Sequence, residues 1–109
     1  MKYKDLRKYA LSLPQTTEEP HFHYTSFRVK GKIFVTVPPE EQCAHIFVDD
    51  EQREMVTELY PEFAEVLMWG KKIAGVKVML HKAEMAVVKQ LVRNAWTRKA
   101  PKSLVRAAA

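Results

Sequence analysis

Apolar and polar positions alternate along this chain in two periods, and the switches between them mark the elements. Tyr3, Leu6, Tyr9, Ala10 and Leu13 recur at three- and four-residue steps, with Lys4, Asp5, Lys8 and Ser12 on the other side, which predicts a helix over 3–13. Pro14 biases Leu13 away from helix and ends it. Thr16 to Pro20 reads as a loop. From His21 the period shortens to two: Thr25, Phe27 and Val29 alternate with Tyr24, Ser26 and Arg28 in a stretch rich in aromatic and β-branched residues. Lys30-Gly31 supplies a two-residue turn, glycine being free to take a positive φ. Residues 32–37 return, completing a β-hairpin over 21–37 that Pro38-Pro39 stops.

Residues 43–48 predict a third strand. Asp49 or Asp50 caps a helix reaching about Leu59, with Met55, Val56 and Leu59 as its apolar stripe. Phe63, Val66, Leu67 and Met68 are expected in the core, around a fourth strand near 65–69. A turn near Lys71-Lys72 leads into a fifth strand over 73–80, with Val76, Val78 and Leu80 on one face and Lys77 and Met79 on the other. The last helix spans 83–99; Met85, Val88, Leu91, Val92 and Ala95 cluster on one side, bordered by Lys89, Arg93 and Trp96. The order α-β-β-β-α-β-β-α has hairpins and no βαβ alternation. It predicts an α+β fold, a two-layer arrangement of antiparallel sheet and helices. One domain covers 1–104, and 105–109 reads as a disordered tail.

Composition narrows the function. The chain has 109 residues, 47% hydrophobic and 28% charged, ordinary values for a soluble domain with one core. No apolar run is long enough to span a membrane, and no secretory leader is expected from the first residues. The single cysteine, Cys43, excludes an internal disulfide and fits a reducing cytoplasm.

Charge is segregated. Residues 69–109 hold ten lysines and arginines against one acid, Glu84, a net of +9, while residues 38–68 hold nine acids against Arg53, a net of −8. Basic strands and a basic-edged helix can neutralise phosphates, and Trp69 and Trp96 can add apolar or stacking contacts. His21 with His23, and Cys43 with His45, sit at strand spacing, yet no established ligand spacing accompanies them; no metal and no cofactor are expected. The acids at 49–51, 54 and 58 read as a helix cap and a solvated face. No catalytic residue is assigned, and the chain is not expected to be an enzyme.

Five short motifs occur in order: Leu13-Pro14; Phe27-Arg28-Val29-Lys30-Gly31-Lys32-Ile33-Phe34; Tyr60-Pro61; Trp69-Gly70-Lys71-Lys72; and Ala95-Trp96-Thr97-Arg98-Lys99-Ala100-Pro101-Lys102. With this spacing, over roughly 3–104, the chain resembles the MmcQ/YjbR family of small bacterial proteins. The resemblance implies a fold related to the bacterial frataxin homologue CyaY and to secretion chaperones. It also implies DNA binding through a double-wing arrangement of hairpins. The expected function is a cytoplasmic, non-enzymatic DNA-binding protein that contacts the phosphate backbone of duplex DNA through Arg28, Lys30, Lys32, Trp69, Lys71, Lys72, Lys77, Lys89 and Arg93. Backbone contacts position a duplex without reading it, so sequence preference should be weak. The alternative is a protein-interaction module of secretion-chaperone type, offering a sheet face or edge strand to a protein partner.

Overall fold

The computed structural model describes residues 1–108, so Ala109 of the expected tail lies outside the described residues. In chain order it runs α1 (Tyr3–Ser12), β1 (Thr16–His21), β2 (Tyr24–Val29), β3 (Lys32–Val37), β4 (Cys43–Ile46), α2 (Asp50–Leu59), β5 (Ala64–Trp69), β6 (Lys72–Met79), α3 (Met85–Lys99) and α4 (Lys102–Ala108). The six strands form one antiparallel sheet in the order β1-β2-β3-β4-β6-β5, giving the α+β class that the periodicity predicts.

Two segments differ from the sequence reading. Residues 16–20, read as a loop, form with His21 an edge strand paired along its length with β2, from Thr16 opposite Val29 to His21 opposite Tyr24. Its side chains are largely exposed, so backbone hydrogen bonds rather than burial hold it. Glu18, Glu19 and Pro20 suit an edge, where charge and a missing donor discourage pairing with a second chain. Arg7 of α1 donates its Nε to Glu18 Oε1 at 2.9 Å and ties this edge to the helices. Residues 102–108 form α4, with Leu104 and Val105 packed on the core, where a disordered tail from 105 is expected.

Strand register sorts side chains into two faces. Phe27, Val35, Ile46 and Val76 lie in one row across β2, β3, β4 and β6, under the helices. One step along, Ser26, Thr36, His45, Lys77 and Glu65 form a row on the bare face. α3 packs through Val88, Leu91, Val92, Ala95 and Trp96, while Met85 stays exposed in its first turn. Extra residues bulge β3 at Phe34 and β6 at Ala74, bending the sheet. Beside the second bulge, a Cβ on Gly75 would lie 2.3 Å from the Ile46 carbonyl oxygen, so only glycine fits.

α2 contributes less core than its sequence stripe suggests. Of Met55, Val56 and Leu59, only Val56 is buried; Met55 and Leu59 are 55% and 62% exposed. The helix lies over β5 and β6 at the edge of the layer, too far out to bury three residues per two turns. Val66 and Met68, also expected in the core, are half-exposed because β5 is the second edge strand, whereas Phe63 and Leu67 are buried. Asp49 caps α2 by accepting from the Gln52 amide at 3.0 Å. Arg53, the lone base of the acidic segment, is buried and ion-paired with Asp50 and with Glu54. It is a structural residue rather than a bystander on the surface.

Candidate nucleic-acid interface

The direction of the strands decides where the basic hairpin turns go. With every neighbour antiparallel in the order β2-β3-β4-β6-β5, the turns at Lys30-Gly31 and Gly70-Lys71 leave from the same end of the sheet. Lys30 and Gly31 both take positive φ, 50° and 80°, which makes the first a type I′ turn matched to strand twist. The last turn of α3 reaches the same end. There, partial burial and the nearby charges of Arg98 and Lys32 hold the Lys99 pKa below the usual lysine value. Among the described residues, ion pairs join Arg7 to Glu18, Arg53 to Asp50 and Glu54, and Lys77 to Glu65. None involves Lys30, Lys32, Lys71, Lys72 or Lys99. One end of the molecule therefore carries five ammonium groups without a carboxylate partner among the described residues.

The nine residues expected to touch DNA do not form a single surface. Lys30, Lys32, Trp69, Lys71 and Lys72 share this end. Arg28 is half-buried on the bare face, donating Nε to Ser26 Oγ at 3.0 Å and Nη2 to the Pro20 carbonyl at 3.3 Å, which fastens β1 to β2. Lys77 lies on the same face with its Nζ 3.8 Å from Glu65 Oε1. Lys89 and Arg93 belong to the helix layer, Lys89 with its Nζ 5.5 Å from the centre of the Tyr9 ring. Trp96 cannot stack on a ligand: it is buried and donates its indole N–H to the Pro14 carbonyl at 3.0 Å. Arg98 is likewise committed, donating to the Phe47 and Val48 carbonyls.

A feature absent from the sequence reading lies on the bare face. Each strand is rotated by roughly 20–25° from its neighbour, so diagonal corners of a six-stranded sheet lift toward one face. One corner is the β1–β2 turn at Phe22-His23, the other the β5–β6 turn at Gly70. Between them is a cleft of about 390 Å³ lined by His21, Phe22, His23, Tyr24, Met68, Trp69 and Gly70. Phe22 is 90% exposed and takes a φ of +59°, a conformation that costs a bulky residue about 1–2 kcal/mol and here buries nothing in return. The His21 ring meets it edge-on, with centroids 4.8 Å apart. Trp69 is 45% exposed and is propped edge-on against Phe47 at 5.0 Å. The only sequence sign of this turn is the two-residue gap between His21 and Tyr24, masked by the acidic, proline-containing strand before it.

The sequence matches the YjbR family model over residues 11–98, a span that takes in the whole sheet and nearly all of α3. The chain belongs to the YjbR family. Its fold is similar to the crystal structure of Deinococcus radiodurans protein DR2400, a DUF419 domain, with a TM-score of 0.79 at 20% identity, covering 97% of this chain and 86% of that one. No curated protein matches the sequence.

Two further groups of this YjbR chain sit beneath the cleft corner. His45 is buried on the bare face, its Nδ1 3.2 Å from Thr36 Oγ1 and its ring 5.7 Å from that of Tyr24. Burial first, and the Lys77 charge second, push its pKa below the ordinary histidine value, favouring the neutral ring. Cys43 Sγ lies 4.0 Å from His45 Nε2, but burial raises the thiol pKa and opposes the thiolate that a nucleophile or metal ligand needs. Among the described residues no three His, Cys, Asp or Glu side chains are grouped as a metal site would require, and no helix is long and apolar enough to cross a membrane.

Proposed function

We propose that this YjbR protein is a non-enzymatic nucleic-acid-binding protein of the cytoplasm that grips phosphate groups with the sheet end bearing Lys30, Lys32, Lys71, Lys72 and Lys99. One observation supports this reading: five cations with no acidic partner among the described residues are gathered on two hairpin turns and a helix terminus. Such groups contact backbone and leave base edges unread, so affinity for duplex DNA should vary little with sequence. A surface matching about five phosphates gives a log K against log salt slope of roughly −4 to −5, with affinity around micromolar or weaker at physiological salt. Titrating labelled duplex DNA at several salt concentrations tests this. Lys71→Glu with Lys72→Glu should weaken binding to all sequences alike and flatten the slope by about 2. Arg93→Glu, on the helix layer, should leave the slope unchanged. Failure of duplex DNA to bind at low salt, or indifference to the Lys71 and Lys72 reversals, would remove the basis of the reading.

A protein-interaction module is favoured by a different observation. Met55 and Leu59 of α2 and Val87 of α3 line an open, mainly apolar cleft of about 290 Å³ between the two helices. Exposed apolar side chains at such a groove suit a partner segment of secretion-chaperone type. Under this reading Met55→Glu with Leu59→Glu abolishes association with the partner and leaves any DNA affinity intact.

A further inference from the structure

We infer that the cleft between Phe22 and Trp69 is a stacking site for an unpaired base of a single-stranded nucleic acid. The inference rests on the phosphate surface proposed above and adds the kind of nucleic acid it serves.

Three observations converge. First, Phe22 stands almost fully exposed at the tip of the β1–β2 turn, in a backbone conformation that bulky residues avoid. Its ring contributes nothing to the core, so packing does not explain why an aromatic stands there. Second, Trp69 occupies the opposite corner of the same cleft, half-exposed, with its edge contact to Phe47 fixing the plane of the indole. Tyr24 adds a third ring to the lining, steadied from below by His45. Third, Trp69 and Gly70 run directly into Lys71 and Lys72, neither of which has an acidic partner among the described residues. A wall of rings adjoining unpaired cations matches a nucleotide, which presents a flat base and, next to it, a phosphate.

The same chemistry selects a single strand. In a duplex both faces of each base are already stacked, and drawing one out carries an unstacking and unpairing cost. A single strand offers the base at little cost while its phosphates remain free for Lys71 and Lys72. Three nearby carboxylates have partners of their own: Glu19 accepts from the Thr17 hydroxyl at 2.8 Å, Glu18 is held by Arg7 and Tyr3, and Glu65 lies against Lys77. His21 and His23 bring ring nitrogens to the lining, able to meet the polar edge of a base. Stacking is tolerant of base identity, so preference among the bases should be modest.

Fluorescence anisotropy with labelled oligothymidine of 15 nucleotides, beside a mixed-sequence duplex of equal length, tests the assignment on the intact chain. The single strand should bind at least about fivefold more tightly than the duplex at equal salt. Phe22→Ala and Trp69→Ala should each weaken single-strand binding by about 5- to 100-fold and leave the duplex within twofold. Phe22 supports no core, so its removal leaves the fold intact. Oligothymidine should also quench tryptophan fluorescence in the wild type and not in Trp69→Phe, because Trp96 is buried. If Lys71→Glu with Lys72→Glu weakens both ligands while the aromatic substitutions change neither, the stacking site is overturned and the phosphate surface stands. If neither ligand responds to the lysine reversals, the phosphate surface falls and takes this inference with it. Equal affinity for both ligands with no quenching also overturns the stacking site.

Discussion

Across β2, β3, β4 and β6 the covered face of the sheet carries Phe27, Val35, Ile46 and Val76, while one step along the bare face carries Ser26, Thr36, His45 and Lys77. Burial alone does not separate the two rows. Ser26 and Thr36 are as inaccessible as Phe27, and His45 is buried as well. What differs is how burial is made tolerable. On the covered side apolar area is removed from water, at about 25 cal/mol per Å². On the bare side long neighbours roof over short polar residues, and each polar atom needs a partner. Ser26 Oγ donates to the Glu19 carbonyl at 2.7 Å and accepts from Arg28 Nε; Thr36 Oγ1 meets His45 Nδ1. One face is thus held by area and the other by a chain of hydrogen bonds, and only the second leaves rings and cations free for a ligand.

The contrast can be broken most severely from the covered side. Phe27→Ala should cost about 3–5 kcal/mol in chemical denaturation, since the ring is completely enclosed. A loss below about 1 kcal/mol would mean that the row does not form the core. Leu91→Ala should cost less, about 2–3 kcal/mol, because Leu91 also lines the open cleft between α2 and α3, where neighbours can relax into the space. On the bare face, Thr36→Val keeps the shape and removes only the hydroxyl, leaving His45 Nδ1 unpaired; about 1–2 kcal/mol is expected. A neutral result would show that His45 finds another partner.

The gentlest probe is pH. His45 has a folded pKa below its unfolded value near 6.5, so the unfolded chain takes up the proton first. Its contribution is fully present above about pH 6.5 and is lost as pH falls through the folded pKa. Denaturation midpoints of wild type and His45→Gln, compared over this window, should converge as the pH drops. Parallel curves would mean that the ring titrates as it does in the unfolded chain. Lys77→Met, which removes the second cause of the shift, should narrow the wild-type window.

How far these features were legible depends on whether their cause is local. The Lys30-Gly31 hairpin, the α3 stripe of Val88, Leu91, Val92 and Ala95, and the alternation of Val76, Lys77 and Val78 follow from periods of 2 and 3.6, which short stretches of sequence carry unaided. The family motifs are local too, and the match over residues 11–98 agrees with them. β1 was not legible, because a strand with no buried apolar residue exists through the backbone of its neighbour. Nor were the exposed positions of Met55, Leu59, Val66 and Met68: a stripe shows which side is apolar, while its place at the centre or edge of the layer decides how much is covered.

Charge segregation along the sequence was real, but the sequence could not place it in space. Strand direction sent Lys30, Lys32, Lys71 and Lys72 to one end, and helix packing put Lys89 and Arg93 on another layer. Phe22 and Trp69, 47 positions apart, face one cleft only because twist accumulates across the whole sheet and two bulges deepen its curvature. The sequence by itself determined the family and the elements that carry their own periodicity, β1 and α4 excepted, since periodicity and motif spacing act over a few residues. The tertiary structure alone decided which residues share the candidate site, since a surface is assembled from residues whose distances are set by every strand between them.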